Sequence, residues 1–303
     1  MIVGRFAPSP TGPLHLGSLV AAVGSWLFAR SAGGRWLVRM EDLDAPRVVP
    51  GSADEILRAL ERYGLEWDGD VVFQSHRTAL YEDAQAFLRE RGLVFDCACS
   101  RAEVARAASA PDARDAADAD GPVYPGTCRA GLPAGRAARA VRFRVPPGVV
   151  AFDDAVFGRV EEETSTRVGD FVVRRADGPF AYQLAVVVDD AAQGVTEVVR
   201  GADLLSSTAR QILLQRALGL PTPAYAHLPL VLGKDESKLG KRGGALPLET
   251  LSEARVRETL VLALRLLGQE PPPESSPRDI RARAARSFDA SRIPRGPATV
   301  DRT

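Results

Sequence analysis

A loop rich in glycine and proline, lying between a short strand and an apolar helix, constrains the N-terminal fold most strongly. This loop covers residues 7–13. Around it, strand and helix patterns alternate, with strands predicted over 2–6 and 36–40 and helices over about 16–30, 52–63 and 78–91. Ser52 is the predicted N-cap of the second helix. This alternation of strands and helices predicts an α/β fold with parallel strands.

The second part of the chain mixes strand patterns with helices. Strands are predicted over 140–145, 171–174, 182–188 and 195–200, and helices over 204–218 and 252–267. Ser100 and Glu103 form a capping box for a further helix. From Gly268 onward the composition changes to Pro, Ser and Arg, which predicts a weakly ordered tail.

The charge balance limits the classes of partner. Lys+Arg and Asp+Glu are both 39, so the formal net charge is +0, and a globally basic nucleic-acid coat is excluded. No uncharged apolar run reaches the length of a membrane span, so no membrane partner is expected. The first residues lack the basic-then-apolar order of a secretory signal, and we expect a cytoplasmic protein.

The N-terminal loop has the features of a phosphate site. Gly12 and Gly17 have no Cβ, so a ligand can approach the backbone closely. The helix start beyond them presents free N–H groups and a positive dipole end. His15 at this position can donate to a phosphate oxygen as negative charge develops there. A simple strand–helix turn with a surface histidine is the alternative.

The segment PSPTGPLHLGS resembles the first signature of the class I aminoacyl-tRNA synthetases in its glutamate-specific form. His15-Leu16-Gly17-Ser18 corresponds to its four-residue core, and the run RMEDLD at 39–44 extends the match. The resemblance implies that ATP binds at His15, Gly17 and Ser18. It also implies that Arg5 and Ser9 contact the amino acid and that Glu41 holds its α-amino group.

Two later segments, 180–190 and 198–205, resemble the second half of a glutamate-specific core, in which Tyr182 and Arg200 line the amino-acid pocket. Arg is suited to a γ-carboxylate because its planar guanidinium donates two parallel hydrogen bonds. Arg5 and Arg200 together suit a substrate with two carboxylates. Tyr182 as a core aromatic of a strand is the alternative, and Asp189-Asp190 is interpreted as a turn pair or a Mg²⁺ site.

All three lysines of the chain fall within eight positions, at 234, 238 and 241, whereas the other basic residues are Arg. Lys238-Leu239-Gly240-Lys241-Arg242 resembles the second class I signature, in which a mobile ammonium follows the departing pyrophosphate. Lys241 is the predicted catalytic lysine, assisted by Lys238. Gly240 replaces the usual serine of the signature, and a frame through Ser237 that makes Lys238 the main residue stays open.

Three cysteines, Cys97, Cys99 and Cys128, are an odd number in a chain that we expect to be cytosolic, which disfavours disulfides, and their close spacing suggests zinc ligands. Free buried thiols are the alternative. Cys-x-Cys followed by Tyr-x-x-x-Cys resembles the zinc pattern of a short glutamate-activating relative, which implies Tyr124 as fourth ligand. The implied zinc is structural.

The resemblance covers residues 1 to about 250 and implies a Rossmann-like class I core. Its predicted parts are two core halves (1–95 and 146–220), an inserted zinc-binding subdomain (96–145), a signature loop with a helical stem (221–268) and the tail (269–303). The residues after Lys241 are too few for an anticodon-binding domain. The implied relative is a short paralogue of glutamyl-tRNA synthetase.

Such a paralogue activates L-glutamate with ATP and Mg²⁺ without tRNA. It then attaches the glutamate to queuosine at the wobble position of the tRNA(Asp) anticodon stem-loop, and we expect it to act as a monomer. The alternatives are a truncated synthetase that charges the 3′ end of tRNA, another nucleotidyltransferase of the superfamily, and a catalytically silent RNA-binding module.

Overall fold

Parallel strands alternate with helices at the N-terminus, as the sequence predicts. The computed structural model describes residues 1–108, 122–233, 248–271 and 276–300. Its first elements are β1 (Val3–Phe6), α1 (Leu16–Ser31), β2 (Arg35–Met40), α2 (Ser52–Arg62), β3 (Val72–Phe73) and α3 (Thr78–Glu90). β1 pairs with β2 and β2 with β3, both in parallel. This arrangement confirms the predicted α/β class.

Ser52 differs from its predicted role. The N-cap position of α2 is Gly51, and Ser52 is the first helical residue. Its hydroxyl accepts from the Gly12 amide at 3.0 Å and donates to the Gly12 carbonyl at 2.8 Å. Ser52 therefore ties α2 to the N-terminal loop.

An antiparallel sheet follows. Its strands are β4 (Val94–Cys97), β5 (Ala140–Phe143) and β8 (Phe171–Arg174), in the order β4-β5-β8. After β4 comes α4 (Arg101–Ala108), where Ser100 and Glu103 bond each other's backbone amides and confirm the capping box. β5 lies inside residues 96–145, whereas its partner β8 lies after them, so the limits of the zinc-binding insert stay a prediction.

The largest sheet is mixed. It contains β6 (Val149–Asp154), β7 (Gly158–Glu163), β9 (Glu197–Gly201) and β10 (Ala224–Leu228), in the order β7-β6-β10-β9. The hairpin of β6 and β7 is not predicted by the sequence patterns. Thr196 joins this sheet to the first one, because its amide donates to the Val3 carbonyl and its hydroxyl accepts from the Val3 amide, both at 2.9 Å.

The predicted strand over 182–188 is wrong, because these residues begin a helix, α5 (Tyr182–Ala192). A short apolar run rich in Val fits a buried strand or a buried helix equally well, and periodicity does not separate them. α5 packs against α3, β8 and the next helix, α6 (Ser207–Leu218), which ends at Gly219 in the left-handed region. Tyr182 therefore lies in the first turn of a helix, and Asp189 and Asp190 in its last turns.

The predicted weak order of the C-terminal tail is also wrong for its described part. After β11 (Val231–Gly233) and α7 (Glu253–Leu266), residues 276–300 form α8 (Pro277–Ser287) and β12 (Ala298–Val300). Ile280 and Ala284, four residues apart on one face of α8, are buried in the core with α1 and α7. This segment is rich in arginine, so its composition alone does not indicate the short amphipathic helix that it forms. Among the described helices, none is long and apolar enough to cross a membrane.

Candidate active site

The predicted amino-acid contacts lie where neighbouring strands end. Arg5 is in β1 and Ser9 in the loop after it, Glu41 directly follows β2, Arg200 is in β9, and Tyr182 begins α5. All five line one cavity of about 670 Å³. The carboxyl ends of parallel strands are the usual place for ligand sites in α/β folds. The structure thus brings together residues that are up to 195 positions apart in the sequence.

Arg5 belongs to a buried ion-pair cluster. Its Nε donates to Asp190 Oδ1 at 3.2 Å, and Nη1 of Arg39 donates to the same oxygen at 2.8 Å. Nη2 of Arg39 in turn donates to Glu41 at 3.3 Å. Burial opposes ionisation of Asp190, but the charges of Arg5 and Arg39 outweigh it and lower the pKa of this carboxyl. The cluster therefore keeps Asp190 ionised and orients Glu41.

Asp189 has its own set of donors. It accepts from the Tyr81 hydroxyl at 2.7 Å, from Gln74 Nε2 at 2.8 Å and from Arg77 Nε at 2.6 Å. Asp189 and Asp190 thus neutralise arginines inside the core, and their interpretation as a turn pair is wrong. Their bonded oxygens do not support a Mg²⁺ site either.

Glu41 is prepared to bind a cation. Burial raises the pKa of its carboxyl, and the nearby Arg39 and Arg5 only partly oppose this effect. An ammonium group arriving beside Glu41 favours the ionised form. The α-amino group of an amino acid supplies such a charge.

Arg200 differs from Arg5 in the acceptors that it contacts. It is 5% exposed, and within the described part of the chain its acceptors are neutral. They are His227 Nε2 (3.1 Å), Gln211 Oε1 (2.7 Å), Thr208 Oγ1 (2.8 Å), the Leu204 carbonyl (3.3 Å) and the Tyr182 hydroxyl (3.4 Å). A buried guanidinium without a directly bonded carboxylate favours binding of an anionic group at the cavity.

A second cavity of about 310 Å³ lies at the start of α1 and is lined by His15, Gly17 and Ser18. His15 is the N-cap residue, and its Nδ1 accepts from the Ser18 amide at 3.2 Å. A Cβ on residue 17 would lie 3.2 Å from the His15 ring, so glycine there gives the ring its room. A helix N-terminus with an adjacent histidine suits a phosphate group.

The two cavities share part of their walls. Ala21, Gly201 and Asp203 line both of them. A Cβ at Gly201 would lie 2.7 Å from Asp203 Oδ1, so a larger residue there would displace this carboxylate. A cavity suited to an anion and a cavity suited to phosphate are thereby adjacent, as a reaction between a carboxylate and a nucleotide needs.

The predicted catalytic lysines, Lys238 and Lys241, lie outside the described residues, as do Lys234 and Gly240. The described residues before this segment end at Gly233 in β11, which pairs in parallel with β12. Leu230 and Val231 at this point line the second cavity. The chain therefore enters the lysine segment beside the candidate phosphate site.

Cys97, Cys99 and Cys128 come together at the end of β4. Their sulfur atoms all lie within 4.8 Å of one another, and those of Cys99 and Cys128 are 3.7 Å apart. The Tyr124 hydroxyl lies 3.4 Å from Cys97 Sγ and 3.6 Å from Cys99 Sγ. Zinc bound tetrahedrally at about 2.3 Å from sulfur requires ligand atoms about 3.8 Å apart. The set therefore fits a closed zinc site of four ligands.

The sequence patterns do not indicate the residues that support the cavity-lining side chains from outside the cavity. Asp154 and His227 support Arg200 from β6 and β10, and Arg39 joins Arg5 to Glu41 through Asp190. His227 is one of three histidines, which is a weak signal. Nothing in the sequence pairs it with Asp154, 73 positions earlier.

Comparison with known proteins agrees with this geometry. Residues 1–301 match the family described as tRNA synthetases class I (E and Q), catalytic domain. A crystal structure of a glutamate tRNA ligase from Elizabethkingia meningosepticum, in complex with its amino acid, superposes with a TM-score of 0.78 at 27% identity and covers 98% of this chain. The match covers 66% of that ligase, so this chain spans about two thirds of its length.

Shorter relatives match over nearly their whole length. The glutamyl-Q tRNA(Asp) synthetase of Geobacter sulfurreducens is 57% identical over 97% of this chain and 94% of its own length. That of Dechloromonas aromatica is 59% identical over 89% of this chain and 87% of its own length. The chain belongs to the class I tRNA synthetases of the E and Q type and, within them, to the glutamyl-Q tRNA(Asp) synthetase family.

Proposed function

We propose that this chain activates L-glutamate with ATP and transfers it to queuosine in tRNA(Asp). The observation that carries the proposal is the pair of adjacent cavities, of which one contains Arg200 and Glu41 and the other His15. The family supports the same function, because relatives of similar length are named for glutamyl-Q and tRNA(Asp). We include in the proposal that the chain acts as a monomer in the cytoplasm.

In the first step, the α-carboxylate of glutamate attacks the α-phosphorus of ATP, and pyrophosphate leaves with the electron pair of the broken P–O bond. Glu41 holds the α-amino group and Arg200 the side-chain carboxylate, with Arg5, Ser9 and Tyr182 completing the pocket. The side-chain carboxylate stays anionic throughout, so a fixed guanidinium suits it.

The phosphates lie at His15, Gly17 and Ser18, and Mg²⁺ accompanies the ATP. His15 stabilises the negative charge that passes to pyrophosphate, together with Lys241 and, as an assistant, Lys238. In the second step, a hydroxyl of the queuosine ring attacks the activated carbonyl, and AMP leaves. This sequence of steps forms no covalent intermediate with the enzyme.

The cysteine cluster completes the proposal. Cys97, Cys99, Cys128 and Tyr124 would hold a structural Zn²⁺, which ties the end of β4 to the loop at residue 128. Metal analysis of the purified protein is expected to give about one zinc per chain.

Two measurements test the function. Glutamate-dependent exchange between ATP and pyrophosphate, without tRNA, tests activation, and the same assay with Lys241→Ala against Lys234→Ala tests the catalytic lysine. Labelled glutamate incubated with tRNA(Asp), with and without queuosine, tests transfer. Label in an anticodon-loop fragment of the queuosine-containing tRNA supports the proposal. Label at the 3′ end would instead identify a truncated synthetase.

A further inference from the structure

The hydrogen bonds around His227 fix its tautomer. A guanidinium nitrogen only donates, so Arg200 Nε at 3.1 Å requires His227 Nε2 to be an acceptor. The proton of the neutral ring is therefore on Nδ1, which faces Asp154 Oδ2 at 2.6 Å. Both side chains of this pair are 0% exposed. Asp154, His227 and Arg200 thus form one directed chain of hydrogen bonds.

Asp154 is itself held in place by the backbone. Its Oδ1 accepts from the amides of Val156 and Phe157, both at 2.9 Å. Burial opposes its charge, but the hydrogen bonds from His227 and these amides prevail and lower the pKa of the Asp154 carboxyl. An ionised Asp154 accepts on both oxygens and cannot donate, which keeps the proton on His227 Nδ1.

The charged groups around His227 favour a neutral ring. Burial, and then the positive charges of Arg200 and Arg5, lower its pKa against the opposing effect of Asp154. Two further side chains of the described part of the chain contact the ring, and both are neutral: Thr208, whose hydroxyl lies 3.2 Å from Nε2, and Tyr225, whose ring is stacked on it.

The bonds of Arg200 divide into two sets. Those to His227, Gln211 and Thr208, at 3.1, 2.7 and 2.8 Å, go to residues that do not line the 670 Å³ cavity. Those to Tyr182 and Leu204, at 3.4 and 3.3 Å, go to residues that do line it. The shorter set fixes the guanidinium from behind, whereas a carboxylate in the cavity can replace the longer and weaker set.

We propose that Asp154 and His227 are positioning residues for glutamate specificity, which hold the guanidinium of Arg200 in the orientation that accepts the substrate's side-chain carboxylate. This inference rests on the proposed function, because that function makes glutamate the ligand of the cavity. Asp154 sets the tautomer of His227, and His227 sets the angle of Arg200. Neither residue touches the substrate.

The Asp154→Asn variant tests this chain of effects. The Asn oxygen still accepts from the two backbone amides, but its NH₂ group donates to His227 Nδ1. The ring proton then moves to Nε2, where it opposes the N–H of Arg200. We expect KM for glutamate to rise about 10- to 100-fold while kcat and the KM for ATP change less than about threefold. The preference for glutamate over glutamine falls by about tenfold or more, which a general loss of structure would not produce.

Tyr225→Phe is the matched control. Tyr225 lies on β10, the strand that contains His227. The variant loses one buried hydrogen bond, from Gln215 Nε2 at 2.9 Å, but keeps its ring beside Arg200. The glutamate preference is expected to stay unchanged in this variant. Equal loss of preference in Tyr225→Phe and Asp154→Asn would overturn the proposal.

A second pair of variants covers the case in which Asp154→Asn does not fold. His227→Gln keeps an acceptor oxygen for Arg200, whereas His227→Leu removes it. We expect the glutamine variant to retain most of the glutamate preference and the leucine variant to lose it. The same loss in both would contradict a positioning role.

Nitrogen NMR of protein labelled at histidine reports the tautomer without any activity. The chain has three histidines, so the signals are assignable by substitution. We expect a protonated Nδ1 and a bare Nε2 for His227, and the reverse in Asp154→Asn. A protonated Nε2 in the unaltered protein would refute the inference.

Absence of glutamate-dependent exchange in the unaltered protein would instead refute the proposed function. Unchanged kinetics of Asp154→Asn in an active enzyme would refute the inference alone.

Discussion

The two arginines of the cavity are held in opposite ways. Arg5 bonds directly to the carboxylate of Asp190, which it shares with Arg39. Arg200 bonds, among the described residues, to neutral groups, and the carboxylate of Asp154 lies on the far side of His227. Both side chains are almost fully buried.

This difference distinguishes a guanidinium whose charge is compensated within the fold from one whose charge is available to a ligand. A guanidinium already paired with a carboxylate gains little from a second anion, because its charge is compensated. One held by neutral acceptors keeps its full attraction for a carboxylate but is fixed in direction. We therefore expect Arg200 to bind the side-chain carboxylate of the ligand, whereas Arg5, compensated by Asp190, contributes to the pocket mainly by holding the ion-pair cluster in place.

Removing the carboxylate of Asp190 tests the structural side and has the largest expected effect. Asp190→Asn leaves Arg5 and Arg39 buried without their counter-charge, at a cost of about 3–5 kcal/mol in the free energy of unfolding. Because the pKa of Asp190 is lowered, this stabilisation is present at neutral pH and is lost as the pH falls through the folded-state value. Urea unfolding at pH 7 measures it.

The matched control for this change is Asp153→Asn. Asp153 is 80% exposed and pairs with Arg159 at 3.5 Å, so its loss is expected to cost less than about 1 kcal/mol. If the two variants were equally stable, the ion-pair cluster would not be structural.

Replacing Arg200, the arginine that we propose binds the ligand, tests the second half of the comparison. Arg200→Lys loses the planar pair of donors, and we expect kcat/KM for glutamate to fall about 100-fold with stability changed much less than in Asp190→Asn. Steady-state exchange kinetics and urea unfolding of the same sample separate the two effects. Arg89→Lys, at an exposed position, is the control. A stability loss as large as that of Asp190→Asn would remove the distinction between the arginines.

The pH dependence of glutamate binding gives a third test. Burial raises the pKa of the Glu41 carboxyl above that of a free glutamate side chain, so Glu41 takes up a proton at a higher pH than a free side chain does. Its neutral form no longer attracts the α-amino group, and KM for glutamate is expected to rise about tenfold per pH unit below that pKa. Asp190 and Asp154, whose pKa values are lowered, keep the fold intact in this window.

Kinetics between pH 4 and 8 (about one unit per step) check this expectation, with circular dichroism recording the fold. In Glu41→Gln the binding is weak and this part of the pH dependence is absent. A KM profile that Glu41→Gln leaves unchanged would assign the titration to another group.

The smallest expected effect concerns one neutral acceptor of Arg200. Thr208→Val removes the hydroxyl that Arg200 Nη2 bonds at 2.8 Å and keeps the shape of the side chain. One neutral hydrogen bond contributes about 1 kcal/mol, so we expect a rise of about three- to tenfold in KM for glutamate and little change in kcat. An unchanged KM would show that His227 and Gln211 alone fix the guanidinium.

Sequence reasoning succeeded where the signal is local or follows a family motif. The β1–α1–β2 unit and the capping box at Ser100 depend on neighbouring residues, and the structure has both. The glutamate contacts came from the resemblance, and the structure collects them in one cavity, although their roles stay proposals.

It failed where burial or distant contacts decide. The Val-rich start of α5 is apolar on most sides, so its pattern does not distinguish a helix from a strand. α8 buries a narrow apolar face, which includes Ile280 and Ala284, within an arginine-rich segment. The support of Arg200 joins β6 to β10 through Asp154 and His227, and no local pattern encodes such a pair.

A crystal structure with L-glutamate bound is the most direct test of the central claim, that Arg200 is the arginine prepared for the substrate's side chain. We expect carboxylate oxygens to replace Tyr182 and Leu204 as acceptors of Arg200, while its bonds to His227, Gln211 and Thr208 persist. The pair of Arg5 and Asp190 is expected to stay intact. A side-chain carboxylate bound to Arg5 alone, with the bonds of Arg200 unchanged, would contradict it.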